Sequence, residues 1–159
     1  MNLLNKFIKR IIKENISNNE TWFHGTNYDF NEFDLSYFGK TDNGWWGIGI
    51  YFHSDENTAK VYGNTIIKAK LNYKSPLILP VNYSGEFLYD TLVKLGMELP
   101  KEYQNFSSMK IIRQIGKETF TDFIKNYFDV MIVNYAQGSK EAVVFNKNII
   151  VIKEKYKNN

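Results

Sequence analysis

The chain has 159 residues, 43% of them hydrophobic and 16% aromatic, a net charge of +3 and no cysteine. That length and aromatic content suit one globular domain over 1–159 with a sizeable core, and they exclude a disordered chain, which would carry fewer aromatics and more net charge. Disulfides and thiolate metal sites are excluded outright, and two histidines, His24 and His53, are too few for a histidine-based metal centre without carboxylate help.

The first expected element is an amphipathic helix over residues 1–16. Leu3, Leu4, Phe7, Ile8, Ile11 and Ile12 recur at helical spacing on one face, with Lys6, Lys9, Arg10 and Lys13 on the other. Such a helix packs on its own domain or docks on a membrane surface or partner, the first being the commoner outcome. No apolar run approaches the roughly 20 residues of a membrane span. The basic residues interrupting the first helix make it a poor secretory signal, so a soluble cytoplasmic protein is expected. The 1–14 and 147–159 ends each carry a net +3, leaving −3 between them. These ends could touch an acidic partner or nucleic acid, but solvated faces and a frayed tail are the simpler reading.

From Thr21 the pattern becomes that of strands. Thr21–His24 is a short strand ending at Gly25, and a polar loop pivoting on Gly39, Gly44 and Gly47 leads to a second strand, Ile48–Phe52. Ser54-Asp55-Glu56 reads as a helix start, with Ser54 as the residue that accepts from the first amides, and Gly63 as a left-handed stop. Thr65–Tyr73 alternates apolar and polar residues and reads as a half-buried strand. Ser75-Pro76 breaks it, and Leu77–Val81 continues as another short strand. Residues 84–127 read as a helical insert with apolar faces at Phe87, Leu88, Leu92 and Leu95, then Met109, Ile112, Ile115, Phe120, Phe123 and Ile124, the first of these closed at Gly96. Val130–Val133, Ala142–Phe145 and Ile149–Ile152 read as paired strands. The class is α+β, with a largely antiparallel sheet core.

Three strand-borne segments carry candidate chemistry: Phe23-His24-Gly25-Thr26, Gly47-Ile48-Gly49-Ile50-Tyr51-Phe52 and Glu141-Ala142-Val143-Val144-Phe145. Breaking the bond between nicotinamide and ribose passes through an oxocarbenium-like state, in which hydrogen bonds to the ribose 2-hydroxyl strengthen. An anion near that hydroxyl, aromatic faces for the nicotinamide and a neutral imidazole meet this need without a metal. Singly the segments say little, and G-x-G-x-Y lacks the third glycine of a dinucleotide fingerprint. In this order they resemble the motifs of the His-Tyr-Glu branch of the ADP-ribosyltransferases, over roughly residues 21–80 and 128–152. The E-x-V-V-F ending is most similar to short domains of phage and mobile-element proteins.

The resemblance implies an ADP-ribosyltransferase-like fold: two small, mostly antiparallel sheets around an NAD cleft, with an N-terminal helix and the helical insert added. It implies that His24 bonds the adenosine ribose, that Gly25 offers backbone groups to the nicotinamide amide, and that Thr26 completes this first motif. Tyr51, followed by Phe52, would line the nicotinamide pocket. Ser54, Ala59 and Tyr62 follow at the family's spacing, which makes Tyr62 the second ring of a stack. Glu141 would be the catalytic residue, with His24 and Tyr51 as its partners in the motif. His53 is read as an ordinary strand-end histidine. Trp45 and Trp46 either cover the adenine or enter the core. Departures are Ile48, where many members carry a basic residue, Ala142, where Tyr or Phe commonly follows the glutamate, and Ser139, where arginine-modifying branches have Gln or Glu.

The function implied is mono-ADP-ribosyl transfer from NAD, used as substrate without a metal, to a macromolecular acceptor, protein in the first place and nucleic acid in the second. The alternatives are an NAD glycohydrolase of toxin or defence type, in which water is the acceptor, and an inactive module that binds NAD or ADP-ribose.

Overall fold

A computed structural model describes residues 19–37, 44–81 and 84–158; the helix expected over 1–16 lies outside them. Seven strands form one sheet: β1 (Trp22–Thr26), β2 (Ile50–His53), β3 (Thr65–Leu71), β4 (Pro76–Leu79), β5 (Val130–Asn134), β6 (Lys140–Val144) and β7 (Ile150–Lys157). Their order is β4-β5-β6-β2-β1-β3-β7, and only the β4–β5 pair is parallel. The sheet core is therefore largely antiparallel and the class α+β, as expected. The two sheets expected from the resemblance are instead halves of one hydrogen-bonded sheet. The join is narrow: β1 and β2 share a single register pair, Phe23↔His53, whereas β1 pairs β3 along its whole length and β2 pairs β6 along its own.

A parallel pair needs a long crossover, and the insert supplies it between β4 and β5. It contains α2 (Glu86–Lys94), α3 (Ser108–Ile115) and α4 (Lys117–Ile124), with a 3-10 turn at Lys101–Asn105; a further helix, α1 (Glu56–Lys60), follows β2. Leu88, Leu92, Ile111, Ile112, Phe120 and Ile124 bury one sheet face against Leu77, Leu79, Met131, Val133 and Val143. Because successive strand residues point to opposite faces, Ile50, Phe52, Val130, Ile132, Ala142 and Val144 join a second cluster with Trp22, Phe33, Ile67 and Ala69. Each fully buried large side chain contributes about 1.5–3 kcal/mol relative to its exposed state.

Three local expectations change. Of the last three strands, β5 and β6 pair with each other, but β7 pairs β3. β6 already has β5 on one edge and β2 on the other, so β7 crosses to the open edge of β3. The basic C-terminal stretch is thus an edge strand rather than a frayed tail. Lys155 there binds Asp29, the Phe30 carbonyl and Asn31, and Lys147 binds Glu32, which fastens the 27–37 loop over the second cluster.

The cap of α1 is Asp55, whose carboxylate accepts from the Thr58 amide at 2.8 Å and its hydroxyl at 2.7 Å. Ser54 is turned toward β6 instead. Gly63 does not stop α1 in a left-handed conformation; positive φ is found at Gly47, Gly96, Gly116 and Gly138. Gly63 is required for close approach, since a Cβ there would stand 2.2 Å from the Thr26 carbonyl carbon. Backbone cannot swing aside as a side chain can, so Gly63→Ala is expected to lower stability by about 1–3 kcal/mol. Urea unfolding of the two proteins checks this, and an unchanged midpoint would refute the contact.

Candidate active site

β1 and β2 separate beyond the pair Phe23↔His53. There the imidazole of His24 takes over from the backbone ladder, with Nδ1–H donating to the Tyr51 carbonyl at 2.7 Å. The ring is 9% exposed and packs edge-on against Phe33 and tilted against Phe52, at centroid distances of 5.1 and 5.5 Å. Beside this bridge lies a cleft of about 320 Å³. His24, Gly25, Tyr51, Tyr62 and Glu141 line it, together with Gly44, Trp45 and His53.

Tyr51 points toward the helical face of the sheet. Its hydroxyl donates to the Gly47 carbonyl at 2.7 Å and accepts the Trp46 amide at 3.1 Å. Gly44 lies against the ring, where a Cβ would come within 2.2 Å of the phenol oxygen. Tyr62, just after α1, is 56% exposed. The ring stacked on it is that of His53, with centroids 5.0 Å apart and planes 8° from parallel. The two tryptophans divide: Trp45 stays exposed at the cleft, while Trp46 is buried and donates Nε1–H to the Tyr135 hydroxyl at 2.9 Å.

Glu141 sits in β6 directly opposite His53 of β2 and Val133 of β5. Its side chain is 12% exposed, with Oε2 3.4 Å from His53 Nδ1 and Oε1 3.4 Å from the Tyr135 hydroxyl, which donates to it. Burial, reinforced by neighbouring His24 and opposed by Asp55, lowers the His53 pKa to about 4. At neutral pH the imidazole is uncharged, and its favourable approach to a carboxylate is through Nδ1–H.

Four of the expected site residues lie behind the cleft wall. Thr26 is buried, and its hydroxyl accepts the Tyr28 amide at 3.1 Å. Phe52 faces the second cluster. Ser54 extends the β2–β6 pairing, its amide donating to the Lys140 carbonyl at 2.9 Å and its hydroxyl accepting the Lys140 amide at 2.7 Å. Ala59 is fully buried and presses its carbonyl on Gly25, where a Cβ would come within 1.8 Å of that oxygen. His53 and Tyr135 are the site residues that sequence reasoning passed over. Strand periodicity carried the signal for the first, since a residue two beyond Tyr51 shares its face. Among the described residues no group of three or more His, Asp or Glu is placed to hold a metal ion.

The α+β fold is that of an ADP-ribosyltransferase domain, a class that uses NAD as its substrate. Residues 20–158 match the family described as ADP-ribosyltransferase in polyvalent proteins, and the chain belongs to it. Among solved structures it is similar to one described as an anti-CRISPR protein, with 14% identity over 86% of this chain and 94% of that chain and a TM-score of 0.39. No curated protein matches it.

The depressed His53 pKa has a consequence for stability. The folded protein keeps this group neutral down to about pH 4, whereas the unfolded chain takes up the proton near pH 6.5. The stability it confers is full above pH 6.5 and is lost as pH falls through that window, on the order of 3 kcal/mol in all. The difference in unfolding free energy between wild type and His53→Phe should shift by that amount between pH 7 and pH 4. Parallel pH profiles would contradict the assignment.

Proposed function

We propose that residues 1–159 form one domain that acts as a cytoplasmic mono-ADP-ribosyltransferase of the His-Tyr-Glu type. It cleaves NAD at the nicotinamide–ribose bond and transfers ADP-ribose to a macromolecular acceptor. The observation that carries this reading is that His24, Tyr51, Tyr62 and Glu141, drawn from four separate segments, border one cleft. Its volume lies in the range of small-molecule sites, Gly25 brings bare backbone to its wall, and exposed Trp45 and Tyr62 offer aromatic faces to the flat ends of a dinucleotide.

In the proposed reaction the bond from the ribose anomeric carbon to the pyridinium nitrogen breaks with its electron pair, and nicotinamide departs neutral. Positive charge then develops on the sugar ring. The Glu141 carboxylate holds the ribose 2-hydroxyl and stabilises that charge, an interaction stronger in the transition state than in the ground state. The acceptor attacks the anomeric carbon and gives up its proton. His24, fixed by Tyr51, anchors the other ribose, and Tyr51 forms the floor of the nicotinamide pocket.

Incubation with NAD and mass-spectrometric readout tests the reading. A mass increment on a macromolecule supports transfer, free ADP-ribose indicates a hydrolase, and intact NAD with measurable binding indicates an inactive module. In the same assay Glu141→Gln should lower kcat by about 10²-fold, the loss seen when one electrostatic group at a transition state is removed. NAD affinity should stay within about threefold, because the substitution spares ground-state contacts. Normal turnover by this variant would sink the mechanism. Tyr62→Ala should raise the KM for NAD by about fivefold, as loss of roughly 1 kcal/mol of ring stacking requires. Since Tyr62 is more than half exposed, the variant should fold; an unfolded protein would mean that the ring is structural.

A further inference from the structure

His53 stands between the two groups on which the proposed reaction depends. Its ring lies flat on Tyr62, and its Nδ1 faces the Glu141 carboxylate across the β2–β6 pair. The strand pairing fixes the backbone of both residues, and the Ser54–Lys140 hydrogen bonds extend that pairing one step further. The imidazole therefore has little freedom left. A stack sets its plane, and the opposite strand sets the acceptor it meets.

We propose that His53 is a positioning residue for Glu141: its neutral imidazole, braced on Tyr62, steadies Oε2 through Nδ1–H while Tyr135 steadies Oε1. The role presupposes Glu141 as the catalytic carboxylate.

A glutamate side chain has several rotatable bonds, and immobilising it costs rotamer entropy. A carboxylate already held at both oxygens does not incur that cost when the ribose arrives. Each oxygen still has a lone pair for a sugar hydroxyl, since one donor occupies only part of its capacity. Both contacts are long at 3.4 Å, and substrate binding tightens hydrogen bonds of this kind in catalytic sites. The other titratable groups that act on His53 are His24 on β1 and Asp55 at the head of α1, and burial keeps the ring neutral. A charged imidazolium would cancel the negative charge that the developing cation needs. A neutral donor orients the carboxylate and leaves its charge in place.

The experiment compares NAD cleavage by wild type, Glu141→Gln and three His53 variants. His53→Phe keeps the stack on Tyr62 without a donor, His53→Leu removes both, and His53→Asn carries an amide N–H close to where Nδ1–H stood. His53→Phe and His53→Leu should lower kcat about 10-fold, the size of one hydrogen bond to a charged group, with the KM for NAD within about threefold. His53→Asn should restore kcat to within about threefold of wild type. Having two donor-free variants keeps the comparison intact should one of them not fold. Wild-type kcat in either donor-free variant would overturn the proposal, as would His53→Asn performing no better than His53→Phe. Those results beside an inactive Glu141→Gln would leave the reading of the site standing, whereas a wild type unable to cleave NAD would remove that reading and the role of His53 with it.

Discussion

The hydrogen bond from His24 to the Tyr51 carbonyl is the constraint on which the cleft depends. β1 and β2 pair at one position and then part, so the Tyr51 carbonyl would be left facing a gap without a strand partner. A buried carbonyl without a donor costs on the order of 1–3 kcal/mol, and the 2.7 Å bond from Nδ1–H removes that penalty while letting the strands stay apart. The imidazole is itself fixed by Phe33 and Phe52, which the 27–37 loop and the second core cluster hold in turn. The opening of the sheet is thus built into its hydrogen bonding. It does not require strain, and it fixes the His24 tautomer with Nδ1 protonated.

Everything else at the site follows from what that opening exposes. β2 presents Tyr51 and His53 on one face because they are two residues apart, and β6 sets Glu141 beside His53 through its register. Close approach of backbone brings α1 up to β1: Gly25 and Gly63 leave room where Ala59 and Thr26 would collide with any side chain. The position of Tyr62 follows from that packing. The charge pattern is consistent with the chemistry of cation stabilisation. A carboxylate in a low-dielectric wall, touched by a neutral imidazole and a phenol, keeps a field that an ammonium or guanidinium neighbour would quench.

Much of this was legible in the sequence, for identifiable reasons. Alternating apolar residues located β3, and β-branched apolar runs located β5 and β6, because both signals depend only on the local chain. The histidine, tyrosine and glutamate segments say little singly and were marked out by their order and their resemblance to a family's motifs; the fold brings His24, Tyr51 and Glu141 to one cleft. What could not be read depends on pairing between distant segments. The partner of β7 is decided by which strand edges are already taken. The choice of Asp55 over Ser54 as cap follows from Ser54 being engaged by Lys140 on β6. Gly63 serves as a contact point because α1 ends against Thr26. His53 was passed over for a related reason. Its stack on Tyr62 and its contact with Glu141 both cross between elements, so the residue looks unremarkable in its own stretch of chain.

The helical insert, outside the motifs altogether, is tied to the cleft by the loop that precedes β2. Gly47 holds φ +107, a conformation open to glycine at little cost. The next amide, Ile48 N–H, donates to the α4 hydroxyl of Thr121 at 2.8 Å, and the Gly47 carbonyl accepts the Tyr51 hydroxyl. Trp46 is buried among the residues that α2, α3 and α4 contribute to the first cluster, and its indole reaches Tyr135, which reaches Glu141. The crossover therefore does more than connect two parallel strands. It supplies the surface against which the G-x-G-x-Y loop is folded, and through Trp46 and Tyr135 it supports one oxygen of the carboxylate while the β2–β6 pair supports the other. A loop with three glycines among six residues has little intrinsic preference for one conformation. Its shape here is imposed by a tyrosine hydroxyl on one side and a helix on the other, so the geometry of the second motif belongs to the whole domain.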